Sequence, residues 1–187
     1  MNPEREKYQK LWGEHPSYRN AAPGELFADH FLKLANPGKA DLVYDFGCGT
    51  GRGAAKIAER VRRVVGFDFT DNCLDEKVRG RFDFRQHDLT KPIEMFRPRA
   101  DYGYCTDVLE HIPTQDVPVV LGNIFNAART VYLNISTVED HCGALIGETL
   151  HLTVKPLNWW LLQVMNLGLT VKLAQDIGTS CLIYGTT

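Results

Sequence analysis

The sequence predicts a doubly wound α/β domain whose sheet has seven strands, mostly parallel, with helices on both faces and an antiparallel hairpin at the C-terminal end. Three observations carry this. An apolar run ends in a glycine-rich turn that opens a helical stripe and leads to a second apolar run; that alternation continues to the C-terminal part of the chain; and the last two β-type segments are joined by only four residues.

Residues Asp41 to Phe46 form the first apolar run and are followed by glycines. Val61 to Phe69 contains the second, Val64-Val65-Gly66-Phe67, and also ends at an acid. Short continuous apolar runs of this kind read as parallel strands covered on both faces. Between them Ala54, Ile57, Ala58 and Val61 recur at i, i+3, i+4 and i+7, which places an apolar stripe on one helix face. Strands are then expected near Arg81–Leu89, at Asp101–Val108 and at Thr130–Ser136, with a helix from about Gln115 carrying Val117, Val120, Leu121, Ile124 and Phe125. Pro156–Asn166 reads as a helix with Leu157, Trp160, Leu161 and Val164 on one side, and Pro156 suits its first turn because the missing N–H costs nothing there. Trp159 and Trp160 face different sides of that helix, so one belongs to the core and the other is a candidate for the acceptor pocket. Leu169–Gln175 and Ser180–Tyr184, joined by Asp176-Ile177-Gly178-Thr179, form the hairpin and make one terminal strand antiparallel.

With 187 residues, 44% apolar and 24% charged, the chain fits one soluble globular domain. No apolar run reaches the roughly 18 residues that a bilayer requires. The charged start Met-Asn-Pro-Glu-Arg-Glu-Lys is unlike a secretory signal, so a cytoplasmic protein is expected, with no membrane partner. Five cysteines, an odd number and never closer than 25 residues, argue for buried thiols rather than disulfides or a metal site, and no metal is expected. Net charge is -2, but residues 52–99 hold twelve Lys/Arg against eight Asp/Glu while residues 100–187 hold three against eight. The basic stretch leaves a polyanionic partner open without arguing for one.

Two stretches stand outside the alternation. Residues 1–40, with a helix around Phe27, Phe31 and Leu34, are expected to form a helical lid on the core of residues 41–187. Residues 138–155 form a long connection on the substrate side, as long loops in compact domains often do.

The chemistry centres on Asp45-Phe46-Gly47-Cys48-Gly49-Thr50-Gly51-Arg52-Gly53, at a strand end where glycine lets backbone approach a ligand. A dinucleotide fingerprint would place its third small residue at Arg52, which is too bulky for close helix packing. Read one glycine later, as Gly49-x-Gly51-x-x-Ala54, that fingerprint would be restored. The company of the turn argues otherwise. The segments Val43 to Gly51, Val65-Gly66-Phe67-Asp68, Gln86-His87-Asp88-Leu89, and Asp101 through Asp107-Val108-Leu109-Glu110-His111 resemble, in that order, the class I S-adenosylmethionine-dependent methyltransferases. The resemblance runs from about residue 41 to the final hairpin and implies a Rossmann-like sheet and S-adenosyl-L-methionine as cofactor. It implies that Asp45 and the backbone of Gly47, Cys48, Gly49 and Gly51 hold the methionine part. Asp68, with Phe69, takes the ribose hydroxyls; Asp88 and Leu89 border adenine; Thr106 and Asp107 complete the site. A carboxylate can accept two hydroxyl protons at once, which supports the role of Asp68 independently. The alternative is that Asp68 and Asp88 only cap following helices. Tyr8 to Arg19 resembles the lid segments of small, often phage-associated, members, and Arg19 would fork onto the methionine carboxylate or else form a surface salt bridge.

Methyl transfer from a sulfonium needs mainly alignment, with a base only where the nucleophile arrives protonated. Asp107, Glu110, His111, His141, Glu148 and His151 are the candidates at the mouth. His151, in a segment resembling the lead into the last helix of small-molecule members, is the preferred base, and His111 the second. The chain lacks the Asp/Asn-Pro-Pro-Tyr/Phe run of nucleic-acid N-methyltransferases and has no Pro-Cys pair, since Cys105 follows Tyr104. A small or medium-sized acceptor methylated on oxygen or nitrogen by a monomer or homodimer is therefore expected. The alternatives are a protein or nucleic acid acceptor, and a non-catalytic cofactor-binding subunit.

Overall fold

A computed structural model describes residues 3–20, 22–93 and 98–187. In chain order its regular elements are α1 (Pro3–Glu14), α2 (Pro23–Ala35), β1 (Leu42–Phe46), α3 (Arg52–Ile57), β2 (Arg63–Asp68), β3 (Asp83–Gln86), β4 (Ala100–Thr106), α4 (Val117–Ala127), β5 (Ala128–Ser136), α5 (Leu157–Asn166), β6 (Thr170–Asp176) and β7 (Ser180–Thr186). The seven strands form one sheet in the order β3-β2-β1-β4-β5-β7-β6. Strands β1 to β5 pair in parallel; β7 runs antiparallel to both β5 and β6 and is the reversed strand that the hairpin predicts. Gly178, at φ 93°, makes the hairpin turn, and its N–H donates to Asp176 Oδ1 at 2.9 Å.

The pleat sends successive side chains to opposite faces, and β1 divides accordingly. Leu42, Tyr44 and Phe46 join Phe67, Leu133 and the α4 and α5 residues Leu121, Ile124 and Trp160 on one side. Val43 joins Tyr104, Tyr132 and Leu182 with Phe31 of α2 and Ala54 and Ile57 of α3 on the other. Every residue of β1 is buried, as two covered faces require. Helices thus cover both faces.

Several expectations need adjustment. The apolar spacing through Val61 predicts a longer helix than forms. α3 ends at Ile57, and Val61 reaches the core from a turn in which its N–H and that of Arg60 both donate to the Ile57 carbonyl. β3 is four residues long at the sheet edge, where three of its four side chains are exposed and no periodic signal marks its ends. Pro156 caps α5 from outside rather than occupying its first turn. Of the two tryptophans, Trp160 is fully buried and Trp159 lies half-buried against the same core and does not line the cavity at the strand ends. The N-terminal stretch also divides in two. α2 is part of the core, whereas α1 and the short 3-10 turn Pro16–Asn20 lie over the site, with Tyr8 and Leu11 packed on Leu150. Residues 1, 2 and 21 of the expected lid lie outside the described residues. Among the described residues no helix is long and apolar enough to cross a membrane.

Candidate functional site

Strand order reverses on either side of β1 and β4, and open α/β sheets bind ligands at the carboxyl ends flanking such a reversal. There the chain leaves β1 in the turn Gly47 to Gly51. Gly47, Gly49 and Gly51 all have positive φ, at 72°, 50° and 75°, a region that costs L side chains dearly. The turn is tied to β2, since the N–H groups of Gly47 and Cys48 both donate to the Phe67 carbonyl, at 2.8 and 2.9 Å.

A cavity of about 440 Å³ opens beside this turn. Asp45, Gly47, Cys48, Gly49, Asp68, Phe69, Asp88, Leu89, Thr106, Asp107 and His111 line it, together with Tyr8, Trp12 and Tyr18 from the N-terminal segment. Three of the expected residues do not line it. Gly51 caps α3, where a Cβ would strike Phe82 and Leu74. The Arg19 guanidinium is used elsewhere: it donates to the carbonyls of Cys73 at 2.7 Å, Trp12 at 3.3 Å and Asn72, and sits 3.4 Å from Asp75. A fork occupied in this way braces the N-terminal segment rather than facing a cofactor carboxylate. His151 lies behind His111, ring centroids 4.8 Å apart, with Nδ1 2.7 Å from the Val138 carbonyl.

Asp68 and Asp88 share one local device, and it is not a helix cap. Each carboxylate accepts from the N–H and the hydroxyl of the threonine two residues on: Thr70 at 3.1 and 3.2 Å, Thr90 at 2.9 and 2.7 Å. Asp68 also accepts from the Gly49 N–H at 3.0 Å, which joins the glycine turn to the end of β2. A carboxylate offers about four lone-pair sites, so Oδ2 of Asp68 keeps room for one further donor, and a second is accommodated where the Thr70 hydroxyl turns away. Burial pushes the Asp68 carboxyl above its ordinary range. For Asp45, burial first and then the nearby Asp68 push it up to about 8.

At the other side of the cavity the chain after β4 is strained. Asp107 takes φ 58°, outside the usual range for a non-glycine residue, a conformation that clusters at functional sites. The short 3-10 turn Leu109–His111 follows. Glu110 is fully buried; its Oε1 accepts from the Ser136 N–H at 2.6 Å, and its carbonyl accepts from Leu152 and Thr153 at 2.7 and 2.9 Å. Those last two bonds pin the 138–155 connection beside β4. Burial and then Asp107 push Glu110 up to about 8. His111 keeps Nδ1 against Tyr8 Oη at 2.6 Å and the Leu150 carbonyl at 3.1 Å, with Nε2 3.9 Å from Asp107 Oδ2. Burial opposes charge on the His111 ring, but the Asp107 and Glu110 carboxylates outweigh it and hold its pKa above the usual value.

Sequence reasoning did not find Trp12, Tyr18 or Tyr8 as wall residues, nor the burial of Glu110. The first three are aromatic residues on an otherwise polar helix and the turn after it, a signal that was available.

Comparison with known proteins agrees with this geometry. Residues 43–130 match the family model described as a methyltransferase domain. A stretch of 90 residues is 32% identical to the probable cobalt-precorrin-6B C(15)-methyltransferase (decarboxylating) of Methanothermobacter thermautotrophicus; it is 48% of this chain and spans 43% of that relative's length. Among solved structures, 1,6-didemethyltoxoflavin-N1-methyltransferase of Burkholderia thailandensis, with 1,6-didemethyltoxoflavin and S-adenosylhomocysteine bound, superposes with a TM-score of 0.75. The identity is 16%, covering 98% of this chain and 86% of that one. Magnesium protoporphyrin IX methyltransferase of Synechocystis PCC 6803 with bound S-adenosylhomocysteine superposes with a TM-score of 0.68 at 16% identity, over 97% of this chain and 93% of that one.

Proposed function

We propose that this chain, whose residues 43–130 match the methyltransferase domain model, is a class I methyltransferase whose cavity at the ends of β1, β2 and β4 binds S-adenosylmethionine and a small or medium-sized acceptor, methylated on oxygen or nitrogen. The observation that carries this reading is the charge of the cavity wall. Glu4, Glu25, Asp45, Asp68, Asp88, Asp107 and Asp116 line it, and no Lys or Arg among the described residues does. A wall of one sign attracts a ligand of the other. It suits a cofactor carrying ammonium and sulfonium charges and disfavours a polyphosphate backbone, despite the basic stretch of residues 52–99.

When bound, S-adenosylmethionine supplies a methyl group activated by its positive sulfonium. The chain's own part is to hold and align. Asp45 and the backbone of Gly47, Cys48 and Gly49 face the methionine end, Asp68 the ribose, Asp88 and Leu89 the base. Thr106 and Asp107 close the side toward the acceptor. Of the two candidate bases, His111 lines the cavity and His151 does not; His87 lines it beside Asp88, so a proton taken from an acceptor at the Asp107 side passes first to His111 or to water.

The reading is tested by supplying methyl-labelled cofactor to a small-metabolite extract, to nucleic acid and to protein. Label in the metabolite fraction supports it. Label confined to nucleic acid or protein overturns the acceptor class, and calorimetric cofactor binding without transfer to any fraction replaces the enzyme with a cofactor-binding subunit. A preference for NADH over S-adenosylmethionine overturns the whole reading.

Asp45 adds a pH dependence. Its carboxyl, held up to about 8 in the folded protein against about 3.9 unfolded, binds a proton more tightly folded than unfolded. Stability from this group therefore falls as pH rises from about 4 to about 8. A cationic ligand favours the ionised form, so cofactor affinity rises with pH, by up to about tenfold per unit below 8, and levels off above it. Calorimetry between pH 6 and 9 should give this slope for the wild type and a flat profile for Asp45→Asn.

A further inference from the structure

The groups on the acceptor side of the cavity form a set that methyl transfer alone leaves unexplained. Asp107, Glu110, His111 and His151 each place one ligand-type atom within 4.8 Å of those of the other three. Two ligands on opposite sides of a cation with bonds of about 2.1 Å lie about 4.2 Å apart, so small side-chain adjustments bring all four atoms onto one ion.

A second observation is independent of that clustering. Glu110 is wholly buried; one of its oxygens takes the Ser136 N–H, and the other, Oε2, is buried without a hydrogen-bond partner. A buried carboxylate oxygen without a partner is costly unless something positive completes it. The histidines are also oriented for ligation. Nδ1 of His151 faces the Val138 carbonyl and Nδ1 of His111 the Leu150 carbonyl, at 2.7 and 3.1 Å. A carbonyl only accepts, so His151 carries its proton on Nδ1 and keeps a lone pair on Nε2; the Tyr8 hydroxyl, 2.6 Å from Nδ1 of His111, can accept as the Leu150 carbonyl does, which permits the same tautomer there, the one a metal-bound imidazole needs. Cysteine spacing gives no sign of this metal site, because three of its ligands come from residues 107–111 and the fourth from residue 151, forty positions on.

From this geometry we propose that Asp107, Glu110, His111 and His151 bind one divalent first-row transition cation beside the cofactor cavity. Two imidazoles with two carboxylates suit Mn²⁺, Fe²⁺ or Zn²⁺ better than Mg²⁺ or Ca²⁺, which prefer all-oxygen sets. Asp107 and His111 also line the cavity, so the cation's open positions face the acceptor. Its use there rests on the methyl-transfer reading, whereas the site itself does not. An acceptor hydroxyl reaching the cation would be held in place and would release its proton to solvent near neutral pH. The substrate class implied is an acceptor that carries such an oxygen, alone or with a neighbouring donor.

The test starts from chelator-treated full-length protein. Mn²⁺ is titrated alone and followed by electron paramagnetic resonance, and Zn²⁺ is then used as competitor. One saturable equivalent is expected, displaced by Zn²⁺. Glu110→Gln keeps an oxygen for Ser136 but replaces the other with an amide, and His151→Gln removes a ligand at a half-buried position where the fold is least at risk. Each should weaken binding at least about tenfold, and His141→Gln, an exposed histidine of the same connection, should leave it unchanged. No saturable binding, or binding that His151→Gln leaves intact, overturns the site. Full methyl transfer by metal-free protein overturns its use in catalysis and leaves the enzyme reading standing. One bound equivalent with no transfer to any acceptor leaves the site standing and removes that reading.

Discussion

Asp68→Ala is expected to weaken binding of S-adenosylhomocysteine about 100-fold in a calorimetric titration. A hydrogen bond to a charged group contributes about 1.5–3 kcal/mol, and two ribose hydroxyls on one carboxylate therefore contribute about 3 kcal/mol at the low end, which is two factors of ten. The same carboxylate organises the protein, accepting from the Gly49 N–H and from Thr70, so a loss of affinity alone does not separate ribose recognition from a disturbed turn. Repeating the titration with the 2′,3′-dideoxy analogue does. When Asp68 acts on the diol, the substitution costs about 100-fold for the parent ligand and little for the analogue. An equal loss for both assigns Asp68 to holding the glycine turn, and a change under about fivefold for the parent removes it from the cofactor site.

That Asp68 can be argued this far from the sequence has a physical cause. A strand-end acid followed by a turn is a local pattern, and the alternation of apolar runs places each such acid at the same edge of the sheet. The glycine turn, Asp45, Asp68 and Asp88 were legible for this reason, and so was the reversed strand, because a four-residue connection permits only an antiparallel partner. What the sequence concealed depends on distances across the fold. Arg19 has the right chemistry for a carboxylate, but the carbonyls of Trp12, Asn72 and Cys73 lie nearer, and no local pattern reports them. His151 was a reasonable base by its place in a loop, yet the loop turns its Nδ1 to Val138 and leaves His111 at the cavity. α2 looked like part of a lid because its apolar stripe says only that one face is buried, not against what; Phe31 against Tyr104 and Tyr132 answers that. From the sequence Glu110 is one mouth residue among several. Its burial follows from the strained backbone at Asp107 and the two N–H groups of residues 152 and 153 on its carbonyl.

The strained backbone and the glycine turn meet at one contact, and it carries the second large effect. A methyl group on Gly47 would overlap Val108 Cγ2 and crowd Cγ1 and Cβ, while the φ of 72° would itself strain any L residue. The conformational part costs about 1 kcal/mol and overpacking against a fixed neighbour about 1–3 kcal/mol. Gly47→Ala is therefore expected to lower unfolding stability by about 2–4 kcal/mol in urea titration. Val108 cannot retreat freely, because it stands between Asp107, whose N–H donates to the Asn134 carbonyl at 3.0 Å, and Leu109, wholly within the core. The two contributions separate in a double-mutant cycle. In a Val108→Ala background the overlap is gone and only the backbone strain remains, so Gly47→Ala should then cost about 1 kcal/mol. A cost unchanged by that background would mean that Val108 does not set the limit, and that the turn is confined by its own backbone and by its bonds to Phe67. A reduced cost would mean that the cofactor turn and the segment bearing Asp107, Glu110 and His111 are mechanically joined, so that a change in one is felt at the other through a single valine.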